Sequence, residues 1–249
     1  MNAEIMSFSQ IQPTNLRDQV VDQIRAAIIE GRLKPNDHIV ESMLTEQIGV
    51  SRTPVREALI LLEQDGLVVS YQHRGCFVRS FSEQDVYDIF SMRTTLENFA
   101  GELSINEMTE SDHQNLECLV EQQRAAIASG DFRQVRSIDM HFHEYIVNFS
   151  GHSLLIRNWR QIVAQIAAVL YVRAEAIPEY DEYLAVRDHM LIVDAYRKRD
   201  LDLLREVNRK INQRVAGECA FAVNSRLKKP SKPGAASAGM SKPRLPKRR

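Results

Sequence analysis

Apolar positions recur at helical spacing at the start of the chain, alternate briefly, and then return to helical spacing. Leu16, Val20, Ile24, Ala27 and Ile28 share one face and predict a helix over about 16–30, stopped by Gly31 and Pro35. A short helix follows at about 42–48, then a tight turn at Gly49-Val50-Ser51 and a third helix at about 52–65. Ser51 stands at the N-cap of that helix, Pro54 lies in its first turn where a missing N–H costs little, and Gly66 ends it. Leu67–Tyr71 and Cys76–Arg79 read as short strands around a His73-Arg74-Gly75 turn, and no other stretch reads as strand. From Ser82 onward the pattern is helical, with segments at about 83–106, 110–128, 132–150, 153–177, 180–199 and 201–223. Ser82 and Asp85 have capping-box spacing. The predicted fold is mainly α: a small mixed domain at about 10–80 with one β-hairpin, then an all-helical bundle at about 82–223. Residues 224–249 are rich in Lys, Arg, Pro, Ser, Gly and Ala and are predicted to be disordered.

The chain has 249 residues, 44% hydrophobic and 26% charged, which excludes collagen and global disorder. No apolar run approaches the roughly 20 residues of a membrane helix. Met1–Ser9 lacks a basic segment followed by an apolar one, so no secretory signal is expected. Three scattered cysteines, Cys76, Cys118 and Cys219, argue against a disulfide framework and for a reducing cytoplasm. The net charge of −1 hides an asymmetry. Lys and Arg number 8 against 10 Asp and Glu in residues 1–80, 15 against 23 in residues 81–223, and 9 against none in residues 224–249. An acidic bulk with basic spots fits a chain that meets an anion at defined places. The basic tail reads either as a solvated extension or as a nonspecific electrostatic arm on DNA.

Helix, tight turn, helix and two-stranded hairpin make the layout of a winged helix-turn-helix. Leu44, Ile48, Val50, Val55, Leu59 and Leu62 would form its small core, leaving Arg52, Thr53 and Arg56 outward on the N-terminal half of the second helix, which enters the major groove in such motifs. Arginine suits guanine edges and phosphate; the hydroxyls of Ser51 and Thr53 suit phosphate. His73, Arg74 and Gly75 suit a wing tip, with Gly allowing close approach. Helical spacing alone leaves open that these arginines are merely solvated.

The run Val50-Ser51-Arg52-Thr53-Pro54-Val55-Arg56-Glu57-Ala58-Leu59, with Leu62, Gly66-Leu67-Val68 and Arg74-Gly75-Cys76-Phe77-Val78, resembles the winged helix of the GntR family. The helical remainder resembles the ligand-sensing FCD domain of the FadR subfamily, so the resemblance spans about residues 12–222. It implies a homodimeric bacterial regulator, usually a repressor, that reads a palindromic operator and is released by a small metabolite. It also implies Arg52, Thr53 and Arg56 as DNA contacts and Arg74-Gly75 as the wing tip. Ser42 departs from it, standing where related sequences often carry a basic residue.

Asp139 and His143, four apart, share a helix face with Val135, Phe142 and Ile146, while His141 points away. His189 lies in phase with Ala185, Ile192, Val193 and Tyr196 on a later helix. A carboxylate and two imidazoles facing inward suit a divalent metal such as zinc, nickel or manganese; satisfied core residues are the plain alternative. The resemblance implies the same three residues as metal ligands and a histidine on the last helix as the fourth. That helix has no histidine, and the apolar phase of Leu203, Val207 and Ile211 puts Lys210 at the matching position. Either a metal sits on three protein ligands, or Lys210 replaces its charge by pairing with Asp139 or receiving an acidic effector. Arg93 falls mid-stripe with Val86, Ile89, Leu96 and Ala100, and takes either Glu97 or an effector carboxylate as its partner. Arg173 is a further candidate of the same kind. These cations point to a small organic acid as the effector. A metal-dependent hydrolase on Asp139, His143 and His189 is the enzymatic alternative, set back by the lack of a neighbouring Glu or Asp as base. An effector-independent DNA-binding dimer is the third reading. The expectation is a regulator and not an enzyme.

Overall fold

The computed structural model describes residues 16–228. Its N-terminal part contains α1 (Leu16–Ile29), β1 (His38–Ile39), α2 (Glu41–Ile48), α3 (Arg52–Gln64), β2 (Val68–Tyr71) and β3 (Gly75–Val78). The rest is α4 (Glu83–Ser104), α5 (Glu110–Ala128), α6 (Phe132–Phe149), α7 (Ser153–Ala176), α8 (Tyr183–Lys198) and α9 (Leu201–Lys228). The mainly α fold with its winged helix-turn-helix agrees with the sequence reading. Among the described residues no helix is long and apolar enough to cross a membrane.

Two details correct the reading. A third strand, β1, pairs antiparallel with β3, so the sheet order is β1-β3-β2. Two residues are too few to show a period, and only pairing to β3 makes this segment a strand. Residues 224–228, expected to be disordered, continue α9. Ala222 and Val223 are buried just before them, and Asn224 donates to Glu83 at 2.6 Å, so packing against α4 carries the helix past its apolar run. The remainder of the basic tail lies outside the described residues.

The winged helix closes on Val20, Ile24, Val55, Ala58, Leu62 and Val68, all nearly fully buried. Gly49 takes φ +75° at the end of α2, a left-handed turn that admits Gly cheaply and swings α3 across α2. Ser51 caps α3 by position, but its hydroxyl makes no capping hydrogen bond, which leaves it exposed beside Arg52.

In the helical domain α4 packs against α9, α6 and α7, and α5 lies between α6 and α8. Trp159 of α7 is fully buried at its centre. The two parts meet where α1 lies on α7. Gly31 takes φ +72°, and a Cβ there would overlap the Tyr171 hydroxyl end of α7, so the approach needs Gly. Glu30 at the end of α1 also pairs with Arg133 of α6.

The covalent link between the parts is short and stiff. The Ser82 hydroxyl accepts from the Asp85 N–H at 3.1 Å, and Asp85 accepts from the Ser82 N–H at 2.8 Å, completing the expected capping box. Arg79 pairs with Asp85 at 2.5 Å and lies over the Phe81 ring. Partial burial pushes the Asp85 carboxyl up, but the Ser82 donors and the Arg79 guanidinium outweigh it and hold it below its ordinary range. A carboxyl depressed in the folded state adds stability above its unfolded pKa and loses it as pH falls through the folded value. Asp85→Ala is therefore expected to cost about 1 kcal/mol at pH 7. The gap to wild type should narrow once pH drops below about 4. Urea unfolding of both proteins at neutral and acidic pH checks this, and a gap that persists in acid counts against it.

Candidate functional site

The exposed end of α3 carries the first half of the site. Arg52, Thr53 and Arg56 are exposed, with Val55, Ala58 and Leu59 buried behind them. Arg56 is held by Glu41 of α2 at 2.8 Å. Arg52 and Arg74 meet no carboxylate among the described residues. The wing tip is a tight turn in which the Arg74 N–H bonds the Tyr71 carbonyl at 3.0 Å. His73 and Gly75 both take positive φ there, and both are exposed with Arg74. Ser42, on α2, is exposed as well. The surface offers donors from the start of α3 and from the wing, the two elements that reach a groove and its flanking backbone in winged domains.

The second half is buried between α4, α5, α6, α8 and α9. One ligand atom each of Asp139, His143 and His189 lies within 4.8 Å of the others. His143 and His189 are 4% and 3% exposed. Their Nε2 atoms stand 3.2 Å apart, and the Asp139 Oδ1 is 3.3 Å from that of His189.

The outward nitrogens are both occupied. His143 Nδ1 lies 2.9 Å from Glu97 Oε1, and His189 Nδ1 lies 2.9 Å from Gln123 Oε1. A carboxylate and a carbonyl oxygen only accept, so each Nδ1 donates and both Nε2 atoms turn inward toward Asp139. Two imidazole nitrogens and a carboxylate aimed at one point need a cation or a proton between them. Histidines fixed through the far nitrogen by an acceptor are the arrangement a divalent metal requires, so these residues fit one.

Glu97 is the hub. It also accepts from Arg93 Nε at 2.8 Å and from Asn212 Nδ2 at 2.9 Å. Burial pushes its carboxyl up, but Arg93 and His143 outweigh that and hold it down to about 2. Burial, joined by the Arg93 charge, lowers His143 and keeps it neutral, the form that binds a metal. For Asp139 burial again acts upward, and the His189 contact with the Arg93 charge outweighs it and holds the carboxyl below its ordinary range. Arg93 therefore takes Glu97 as its partner.

The Lys210 expectation is overturned. Lys210 is 65% exposed and pairs with Glu206 at 2.6 Å, so it neither meets Asp139 nor faces an effector. The buried line of α9 runs through Leu204, Val207, Asn208, Asn212 and Val215, and Ile211 lines the cavity in its place. One residue turns a helix by about 100°, so a phase read from Leu203 in place of Leu204 points the neighbouring side chain to solvent. The sequence reading also found no carboxylate beside the metal candidates. Glu97 is there, but three donors already engage it, which ill suits it to act as a base.

Beside the cluster lies a cavity of about 40 Å³, lined among others by Arg93, Gln123, Arg173, Tyr180 and Arg214. That is room for about one water molecule. Arg173 sits over the Tyr180 ring at 4.0 Å and pairs with Glu218 at 3.2 Å. Arg214 pairs with Glu218 at 2.7 Å and donates to the Tyr180 hydroxyl at 3.1 Å. The buried Gln123 Nε2 and Arg173 Nε have no hydrogen-bond partner. Gln123 was missed in the sequence although it stands in phase with Leu116 and Val120, a polar break in an apolar stripe. Arg214, Tyr180 and Glu218 carried no comparable signal.

Residues 16–78 match the family described as "Bacterial regulatory proteins, gntR family", and residues 88–214 match the FCD domain. The chain is 30% identical over 207 residues to the HTH-type transcriptional regulator YdhC of Bacillus subtilis, spanning 80% of this chain and 88% of that protein. It is 31% identical over 193 residues to a probable D-xylose utilization operon transcriptional repressor of Paenarthrobacter nicotinovorans, spanning 76% and 82%. The fold is shared with McbR/YncC of E. coli, with a TM-score of 0.74 at 23% identity over 88% of this chain and 100% of that one. The chain therefore belongs to the gntR family of bacterial transcriptional regulators, and joins that family's helix-turn-helix domain to an FCD domain.

Proposed function

We propose that this regulator acts in the cytoplasm as a homodimeric repressor of a palindromic operator, with a divalent metal and a small carboxylate metabolite modulating its grip. The observation that carries the reading is the buried Asp139–His143–His189 cluster, preset for a cation, in a chain whose Arg52 and Arg74 are exposed for DNA. Arg52, Thr53, Arg56 and Ser51 serve the major groove and its backbone; His73, Arg74 and Gly75 serve the wing. Asp139, His143 and His189 hold zinc, nickel or manganese, with Glu97 and Gln123 fixing the imidazoles. The metal, when bound, supplies a Lewis-acidic centre able to take an oxygen of the effector.

Arg173 and Arg93 line the cavity beside these residues, and an effector carboxylate would draw Arg173 from Glu218 or Arg93 from Glu97. An organic acid is too large for about one water's volume, so the segment bearing Tyr180 and Glu182 has to move when it binds. That movement gives the effector differential affinity for two states, the condition for altering DNA binding. A dimer through α4 agrees with its exposed stripe of Met92, Phe99 and Leu103, spaced by seven and four on one helix face. Two α3 helices would then lie about 34 Å apart, one turn of DNA. The basic tail adds salt-sensitive, nonspecific affinity for DNA.

Selection of genomic fragments by the purified protein at physiological salt, followed by sequencing, tests this. Enrichment of a few palindromic sites, weakened by one organic acid from a panel only when metal is present, is expected. Random fragments alone, or sites indifferent to every acid and metal, overturn the repressor or the effector part respectively.

A further inference from the structure

A second cavity, of about 620 Å³, lies between the two parts of the molecule, walled by α1, α6 and α7. Its volume is that of a small-molecule site. Its floor is apolar, formed by Ile29 of α1, Met140 of α6, and Val163, Ala164 and Ala167 of α7. Four arginines stand around it. Arg25 is spent on Asp22 and Asp65, and Arg133 on Glu30. Arg136 and Arg160 meet no carboxylate within ion-pair distance among the described residues, although Glu144 also faces the groove.

We propose that this groove is a second ligand site, separate from the metal cavity, for a small amphipathic anion such as an aromatic or medium-chain carboxylate or sulfonate. The apolar part covers the floor, and the acid group meets Arg160 and Arg136, whose planar forks suit two oxygens. The occupant touches α1 of the DNA-binding part and α6 and α7 of the helical part at once. It therefore favours the arrangement in which the two parts are docked. It also reaches the metal centre through one helix, since α6 turns Met140, His141 and Glu144 to the groove and Asp139 and His143 to the metal cavity. Arg136 and Leu170 line both.

The test is a fluorescence titration of the full chain with anilinonaphthalene sulfonate, an aromatic anion, with hydrogen exchange read in parallel. One saturable site is expected, weakened about tenfold or more by Arg160→Glu, which turns attraction into repulsion, and by Val163→Trp, which fills the floor. Leu191→Asp, on the exposed apolar patch of α8, should leave it unchanged. The probe should slow exchange in α1 of wild type and not of Arg160→Glu. Equal binding by wild type and both groove variants overturns the proposal. So does loss of binding in Leu191→Asp, displacement by saturating zinc with Arg160→Glu silent, or affinity that falls with protein concentration because a second copy covers the groove. Operator binding is not the readout, so failure here leaves the proposed function standing.

Discussion

Arg52→Ala is expected to remove specific operator binding while leaving the oligomeric state and the melting temperature unchanged. Arg52 is exposed at the start of α3 and holds no partner among the described residues, so its loss disturbs no packing. Surface changes of that kind stay within about 0.5 kcal/mol of wild type. On DNA, a bidentate arginine–guanine contact is worth about 1–3 kcal/mol, or about 5-fold to 150-fold in affinity for each half-site. In the proposed dimer the contact is lost twice, which carries the operator toward the nonspecific level. Arg74→Ala separates the two roles. A wing contact to phosphate weakens all sequences alike and lowers the slope of log affinity against log salt by about 0.9 per site. Gel shifts with operator and scrambled duplexes across a salt series measure both. Specific binding retained by Arg52→Ala removes that residue from base readout.

The second large effect is in the hub of the helical domain. Glu97→Gln keeps the shape of the side chain but leaves the Arg93 charge buried without its counterion. Breaking one side of such a pair costs about 3–5 kcal/mol. For a chain of this size each kcal/mol is worth about 2–4 °C, so the melting temperature should fall by about 6–20 °C. Removing both charges with Arg93→Met and Glu97→Leu should recover much of that loss, since no buried charge is then orphaned. Metal affinity behaves differently. Glu97 orients His143 through its Nδ1, and losing such a partner costs about 10-fold to 100-fold in metal binding, in the double variant as well as in Glu97→Gln. Thermal melts with and without zinc, and calorimetric titration of the metal, distinguish the two roles. A Glu97→Gln protein that melts with wild type and binds zinc equally contradicts both.

Much of this was legible along the chain. The winged domain was readable because each element is short, closed by Gly or Pro, and carries its own apolar face. Asp139 and His143 were readable because four residues on one helix share a face by local geometry. His189 and Arg93 were readable because a charged group in phase with Val, Ile and Ala must be buried. Glu97 was named only as the partner of Arg93. Its bonds to His143 and Asn212 join three helices, and no spacing within one helix reports them. The strand at His38–Ile39 failed for the same reason, since its identity lies in its partner.

The sequence by itself determined the order of helices, the hairpin and turn of the winged part, the exposed arginines of α3 and the inward set of Asp139, His143 and His189. Each follows from contacts within a few residues, where helix and turn geometry is nearly invariant. Only the tertiary structure decided what stands opposite that set on α9, how Glu97 ties Arg93 to His143, and how α1 lies against α7 to leave a groove between them. The rotation of a long helix about its axis is set by the sum of its packing contacts. A one-residue error in phase therefore moved Lys210 from an expected place beside Asp139 to the solvent, and brought Ile211 to the cavity instead.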